Sequence, residues 1–317
     1  MIKVENIVKK FEDFTALDHI SCSIPDHCIY GLVGSNGAGK STLLRLINGV
    51  YRQDEGQITV DGEPVFENIK SKQKMVYVPD ELFYLGNASM DRMAKIYRSF
   101  YPEFSQERYE ELADRFQLER KKGMNTFSKG MKRQAVTILA LACRTKYIFF
   151  DETFDGLDPI MRNVVKSIIY DDVMERGSTA VITSHSLREL EDTCDQLALL
   201  HKGGLVLQSE VSDLKTNLFK MQIAFKQDFG PELFKNLSDD TIFNSKGAVS
   251  LLHFSKHGSV ASVIMRGSSE FAMDRLKKYN PVLMEVLPLT LDEVFTYEME
   301  LLGYSFDKML GDKEPES

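Results

Sequence analysis

The sequence predicts an α/β fold: a core sheet feeding a glycine-rich loop, an antiparallel β subdomain, a helical subdomain, and a small α+β domain at the end. Three observations carry that expectation. An apolar segment, Ile29 to Val33, runs into a glycine-rich loop and then into a stretch with apolar residues at Leu43, Leu44 and Ile47, the spacing of a helix. A second apolar run, Tyr147 to Phe150, ends in two acids, Asp151 and Glu152. Beyond residue 210, strand-like and helix-like stretches alternate as β-α-β-β-α-β.

The first elements are short alternating segments, "MIKVENIV" and "HISCSIP", suited to an antiparallel sheet that "GQITVDGEPV" joins as strand and turn. The loop Gly34-Ser35-Asn36-Gly37-Ala38-Gly39-Lys40-Ser41, followed by Thr42, has the pattern G-x-x-x-x-G-K-S in the strand–loop–helix setting that the pattern requires. Its glycines let backbone N–H groups turn inward around phosphate oxygens, and the helix N-terminus adds positive partial charge. Lys40 then reaches the β- and γ-phosphates and Ser41 ligates Mg²⁺. Residues 81 to 140 read as mainly helical, with "SMDRMAKIYRSFY" and "SQERYEELADRFQL" separated by Pro102.

Tyr147 to Phe150 is continuously apolar, as a strand buried on both faces is. Ligands collect at the carboxyl ends of parallel strands. Asp151 is therefore placed to hold Mg²⁺, directly or through water, and Glu152 to polarise an attacking water. A third strand, "STAVITSH", ends at His185, and "SLRELEDTCDQL" reads as the helix after it. One stretch breaks a local rule. In "NTFSKGMKRQ", Ser128 is placed to cap a helix whose first turn holds Lys129, Lys132 and Arg133 and no acid. A helix start is already positive, so this one calls for an anion from outside.

Composition sets outer limits. The chain has 317 residues, 43% of them hydrophobic, enough for one large domain and a smaller one. No apolar run approaches the roughly eighteen residues of a membrane span, and the N-terminus has no apolar signal core. The expectation is a soluble or peripheral protein kept in the cytosol. A formal charge of −8 argues against a general nucleic-acid binder. Cys22, Cys28, Cys143 and Cys194 form no CxxC pair and read as reduced thiols; with His19 and His27 their spacing matches no zinc template.

GSNGAGKST, FSKGMKRQ, YIFFDE with GLD after it, and His185 occur in this order, and the chain resembles the ATP-binding cassette (ABC) ATPases over roughly residues 1 to 210. The resemblance implies a P-loop NTPase fold with ATP and Mg²⁺ as cofactors, in which each site is completed by a second subunit. The signature facing the γ-phosphate of the other protomer would be Phe127 to Met131, with Ser128 and Gly130 as its hydroxyl and close-approach positions. It further implies Phe11 against the adenine, Asp158 in the loop that crosses the dimer interface, and His185 sensing the γ-phosphate beside the catalytic Glu152. Four positions depart from the family pattern. Lys129 and Met131 replace a glycine and the glutamine of the signature, Thr153 replaces a proline, and Asp80 stands where a glutamine touches the metal or its water. Asp80 is nonetheless a residue type that can serve Mg²⁺. The resemblance also implies a separate transmembrane permease, at the cytoplasmic face of the membrane, whose cytoplasmic helix docks near Phe83, Tyr84 and Leu85.

Residues 211–305 are expected to form an accessory α+β domain of ferredoxin-like order, and residues 306–317 a tail. The last helix begins with Thr290 and Glu293 at capping-box spacing and resembles the segment closing many exporter-type ABC ATPases with separately encoded permeases. Two other functions compete with a transporter subunit, which would work as a homodimer or heterodimer. A soluble ABC machine acting on ribosomes or DNA is one; the single phosphate loop and the lack of coiled-coil or zinc insertions speak against it. A module that senses nucleotide without turnover is the other, and Glu152 with His185 speaks against that.

Overall fold

The computed structural model describes residues 1–216, 218–235, 237, 249–287 and 289–301, and the chain divides into two compact units, Met1–Ser209 and Glu210–Ser317. In the first, β1 (Ile2–Phe11) and β2 (Phe14–Ile24) form a hairpin that β4 (Glu55–Val60) and β5 (Glu63–Pro64) extend, in the order β2-β1-β4-β5, antiparallel throughout. Alternation does the sorting: Ile2, Val4, Ile58 and Val60 are buried while Lys3 and Glu5 between them face solvent.

The second sheet holds β3 (Ile29–Val33), β6 (Met75–Val78), β7 (Tyr147–Phe150), β8 (Thr179–Ser184), β9 (Gln196–His201) and β10 (Gly204–Glu210) in the order β10-β9-β3-β8-β7-β6. From β9 to β6 every pairing is parallel. Strands β3, β7 and β8 are buried along their whole length, the reason their sequences do not alternate. Register sets the site. Val33 pairs with Ser184, and Val78 with Phe150, so the phosphate loop, Asp80, Asp151 and His185 all leave the carboxyl edge of this sheet.

Helix α1 (Lys40–Ile47) follows the phosphate loop, and α2 (Ile69–Gln73) precedes β6. Helices α3 (Met90–Phe100), α4 (Gln106–Arg115) and α5 (Lys129–Ala142) form the helical segment, with serine caps: the hydroxyls of Ser89, Ser105 and Ser128 accept from Arg92 N, Arg108 N and Met131 N. From Arg133 onward α5 is buried on all sides. Helix α6 (Pro159–Arg176) is capped by Asp158, whose carboxylate accepts from Ile160 N and Met161 N, and ends at Gly177 in the left-handed region.

The helix expected over residues 186–197 is shorter. Only α7 (Leu187–Leu190) forms. Backbone bonds join Asp195 N to Ile29 O, and the Asp195 carboxylate accepts from Ile29 N at 2.8 Å. Pinned to the start of β3, the chain has to extend there and enter β9. Helical periodicity loses to that long-range pairing.

The second unit runs α8 (Val211–Thr216), β11 (Leu218–Ala224), α9 (Glu232–Lys235), β12 (Ser250–His257), β13 (Val260–Arg266), α10 (Ser269–Lys277), β14 (Leu283–Leu287) and α11 (Leu291–Leu301). Its sheet has the order β12-β13-β11-β14, antiparallel at each pairing, over a core that includes Met221, Ile223, Phe234, Val263 and Leu276. Helix α11 opens with a reciprocal capping box: Glu293 N donates to Thr290 Oγ1 (3.3 Å), and Thr290 N donates to Glu293 Oε2 (3.0 Å). The tail at 306–317 lies outside the described residues. Among the described residues no helix is long and apolar enough to cross a membrane.

Candidate nucleotide site

A cavity of about 430 Å³ opens at the carboxyl edge of the parallel sheet, lined by Phe14, Ala16, the loop from Asn36 to Thr42, Asp80, Glu152, Asp155 and His185. The loop can hold this shape only with glycine at its helix entrance. Gly39 has φ +104°, and a Cβ there would stand 2.6 Å from Leu17 Cδ2 and 2.9 Å from Ala16 O. No side chain caps α1 and no acid stands in its first turn, so its N-terminus faces the cavity with its positive partial charge unopposed.

Lys40 is buried and spans the loop. Its Nζ donates to Gly34 O (2.6 Å) and Ser35 O (3.2 Å) and pairs with Glu152 Oε1 at 3.2 Å. Gly34 and Ser35 thus act through their carbonyls, which steer the ammonium, and neither forms a wall of the cavity. Asp151 is fully buried and accepts three hydroxyl donors: Ser41 (3.0 Å) and Thr183 (2.8 Å) on Oδ1, and Tyr77 (2.8 Å) on Oδ2. Burial and then the Asp151 charge push the Tyr77 phenol well above its ordinary value, so it stays a donor. A buried carboxylate facing a serine hydroxyl is an all-oxygen donor set of the kind a hard cation such as Mg²⁺ takes.

Glu152 sits in the left-handed region at φ +47°, unusual for a residue with a side chain. Its N–H donates to Thr183 Oγ1 at 2.8 Å, which holds the turn. Its carboxylate lies between Lys40 and His185, with His185 Nδ1 3.2 Å from Oε2. Asp155 closes the group; one ligand atom each from Glu152, Asp155 and His185 lie within 4.8 Å of one another. The arrangement offers a buried carboxylate beside a serine hydroxyl and a second carboxylate beside an imidazole, groups able to hold a cation and to polarise a water respectively.

Two residues expected at the site stand apart from the others. Phe11 is not a wall of the cavity. It packs edge-on against Tyr51 with ring centroids 5.4 Å apart, and Phe14, across the hairpin turn, lines the cavity instead. Asp80 does line it, but is no neighbour of Ser41 and Asp151 through any hydrogen bond; its Oδ1 pairs with Arg133 Nη2 at 2.6 Å. An arginine presented from inside α5 competes for this carboxylate, which the sequence alone did not reveal.

Ser128, Gly130 and Asp158 lie outside the walls of this cavity. Ser128 and Asp158 cap their own helices, and Gly130 packs so closely that an added Cβ would lie 3.3 Å from Gly156 O. Thr183, Tyr77, Asp155 and Phe14 line or hold the site and were missed by pattern reading, while Arg133, read as a cation awaiting an outside anion, instead pairs within its own subunit with Asp80. Only Thr183 left a trace, as a hydroxyl beside the apolar run of β8.

Residues 17–155 match the family described as ABC transporter. The chain is 29% identical over 295 residues to the ABC transporter ATP-binding protein YtrB of Bacillus subtilis, covering 93% of this chain and 97% of that one. It is 30% identical over 215 residues to the lipopolysaccharide export system ATP-binding protein LptB of Haemophilus influenzae, covering 65% and 89%. Among solved structures, the dimeric bacterial ABC transporter cassette MJ0796 superposes with a TM-score of 0.61 at 18% identity, over 67% of this chain and 99% of that one.

Proposed function

The chain belongs to the ATP-binding proteins of ABC transporters, and we propose that it closes head to tail with a second subunit around two MgATP and drives a separately encoded membrane permease, in the export direction. One observation carries the proposal: the phosphate loop, the buried Asp151 and the Glu152–His185 pair converge on one cavity.

The steps follow from the residues. Lys40 exchanges its pairing with Glu152 for the β- and γ-phosphates, and the N-terminus of α1 with its loop amides takes the remaining phosphate charge. Ser41 and Asp151 would hold Mg²⁺, which would supply charge neutralisation on the transferring phosphoryl group. Glu152, released from Lys40, accepts a hydrogen bond from the attacking water, and His185 orients both. The signature end of the partner's α5, with two lysines and no acid in its first turn, receives the γ-phosphate that the first subunit holds. Hydrolysis removes that charge and releases the clamp.

A second cavity, about 480 Å³, lies between α2, β6 and α3, with Phe83 at its wall and 69% exposed. It suits the apolar face of a short helix from the permease, and Asp80 lies only three residues from Phe83. Export is supported by the name of the LptB relative and by the resemblance of the closing helix to exporter-type subunits. Detergent extraction from the native membrane tests the assignment. A multispanning protein should co-purify with ATPase activity, and ribosomes or DNA in its place would overturn it.

A further inference from the structure

Three acids ring the nucleotide cavity: Glu152, Asp155 and Asp80. Lys40 answers Glu152, but a carboxylate at Asp80 faces a polyanionic ligand with no cation of the cavity wall bonded to it. Its partner comes from beneath. Arg133 is 1% exposed on the second turn of α5, donates from Nε to Asp155 O (3.0 Å), and pairs through Nη2 with Asp80 Oδ1 (2.6 Å). Its Nη1 is buried and has no hydrogen-bond partner. Asp80 itself is 57% exposed in its side chain and lines the cavity, so one oxygen is anchored on the guanidinium while the carboxylate stays open to solvent.

We propose that Arg133 is a positioning residue that cancels the charge of Asp80 and fixes its carboxylate, which allows an acid to stand at the wall of a triphosphate site. The inference rests on the ATP-binding reading above. Two physical points support it. Detaching Asp80 would leave a buried guanidinium charge with no anion, so the pair persists when the cavity fills. Because Arg133 also holds the Asp155 carbonyl, the same guanidinium sets two walls of the cavity from the signature helix, and the partner-facing end of α5 is tied to the nucleotide it does not itself touch.

The test is a double-mutant cycle of Arg133→Gln and Asp80→Asn, read by equilibrium binding of a fluorescent ATP analogue in EDTA, where hydrolysis is absent, and by thermal melting without nucleotide. Arg133→Gln exposes the bare Asp80 charge and should weaken binding about fivefold to tenfold at low salt, narrowing as ionic strength rises. Asp80→Asn should leave binding within about twofold of wild type but lower the melting temperature, since it strands the guanidinium. The double variant should recover wild-type affinity to within about twofold. Binding as weak in the double variant as in Arg133→Gln, or unchanged in Arg133→Gln, overturns the proposal. Should Arg133→Gln not fold, Arg133→Lys decides: retained charge predicts near-wild-type affinity, and a loss of tenfold or more contradicts it. A wild-type chain that binds no ATP would overturn the functional reading instead, and strictly additive melting shifts would then overturn the pairing too.

Discussion

Replacing Thr183 by valine keeps the volume and shape of a side chain that is 1% exposed, and removes only its hydroxyl. That hydroxyl donates to Asp151 Oδ1 at 2.8 Å and accepts from Glu152 N at 2.8 Å. Losing a hydrogen bond to a charged acceptor costs about 1.5–3 kcal/mol, and stranding a part-buried N–H costs about 1–3 kcal/mol. Allowing for relaxation and solvent at the cavity, the sum is about 3 kcal/mol, which lowers the melting temperature of a unit this size by about 6–12 °C. The strained turn at Glu152 loses its anchor at the same time, so kcat for ATP should fall about tenfold or more. Calorimetry and a phosphate-release assay on the Thr183→Val protein measure both. Thr183→Ser, which keeps the hydroxyl, should lose far less of either. If Thr183→Val melted within about 1 °C of wild type and turned over normally, the hydroxyl bridge between the two carboxylate residues would have no energetic role.

Two other outcomes separate the parts of the site. Lys40→Ala should abolish nucleotide binding by the monomer, whereas Ser128→Ala should spare it and block ATP-dependent closure; equal losses in a monomer binding assay would remove the trans role of the signature. For pH, burial raises the Asp61 carboxyl, but hydrogen bonds from Lys146 (2.7 Å), the Met1 amino group, Tyr147 and Lys74 outweigh it and hold the group far below its ordinary range. The pairing therefore stabilises the fold above the unfolded value, about 3.9, and its contribution is lost as pH falls toward the depressed folded value. Lys146→Met should raise the midpoint of acid unfolding followed by circular dichroism, and an unshifted midpoint would refute the ion-pair account.

Much of the core was legible because its signals are local. A glycine-rich turn between strand and helix, and an apolar run ending in Asp151-Glu152, are complete within about ten residues, and the structure brings them together at one sheet edge. What escaped reading depends on contacts between distant segments. Thr183 is 32 positions from Asp151, Tyr77 is 74, and Arg133 is 53 from Asp80. No spacing rule links them; sheet order and helix packing do. Phe11 and Phe14 were indistinguishable by type, and only the hairpin turn between them decided which one lines the cavity. The short α7 is a similar case, since helical periodicity carried no trace of the Asp195–Ile29 pairing that ends it.

Triphosphate joining two subunits is the step on which the proposed cycle depends. In the Glu152→Gln protein, hydrolysis should drop by about two or more orders of magnitude while Lys40, the α1 terminus and the partner's Ser128 still hold the nucleotide. Sedimentation velocity with saturating ATP and Mg²⁺ should then show a stable dimer that reverts to monomer when nucleotide is removed. A Glu152→Gln protein that binds ATP yet sediments as a monomer, alone and with its membrane partner, would contradict it.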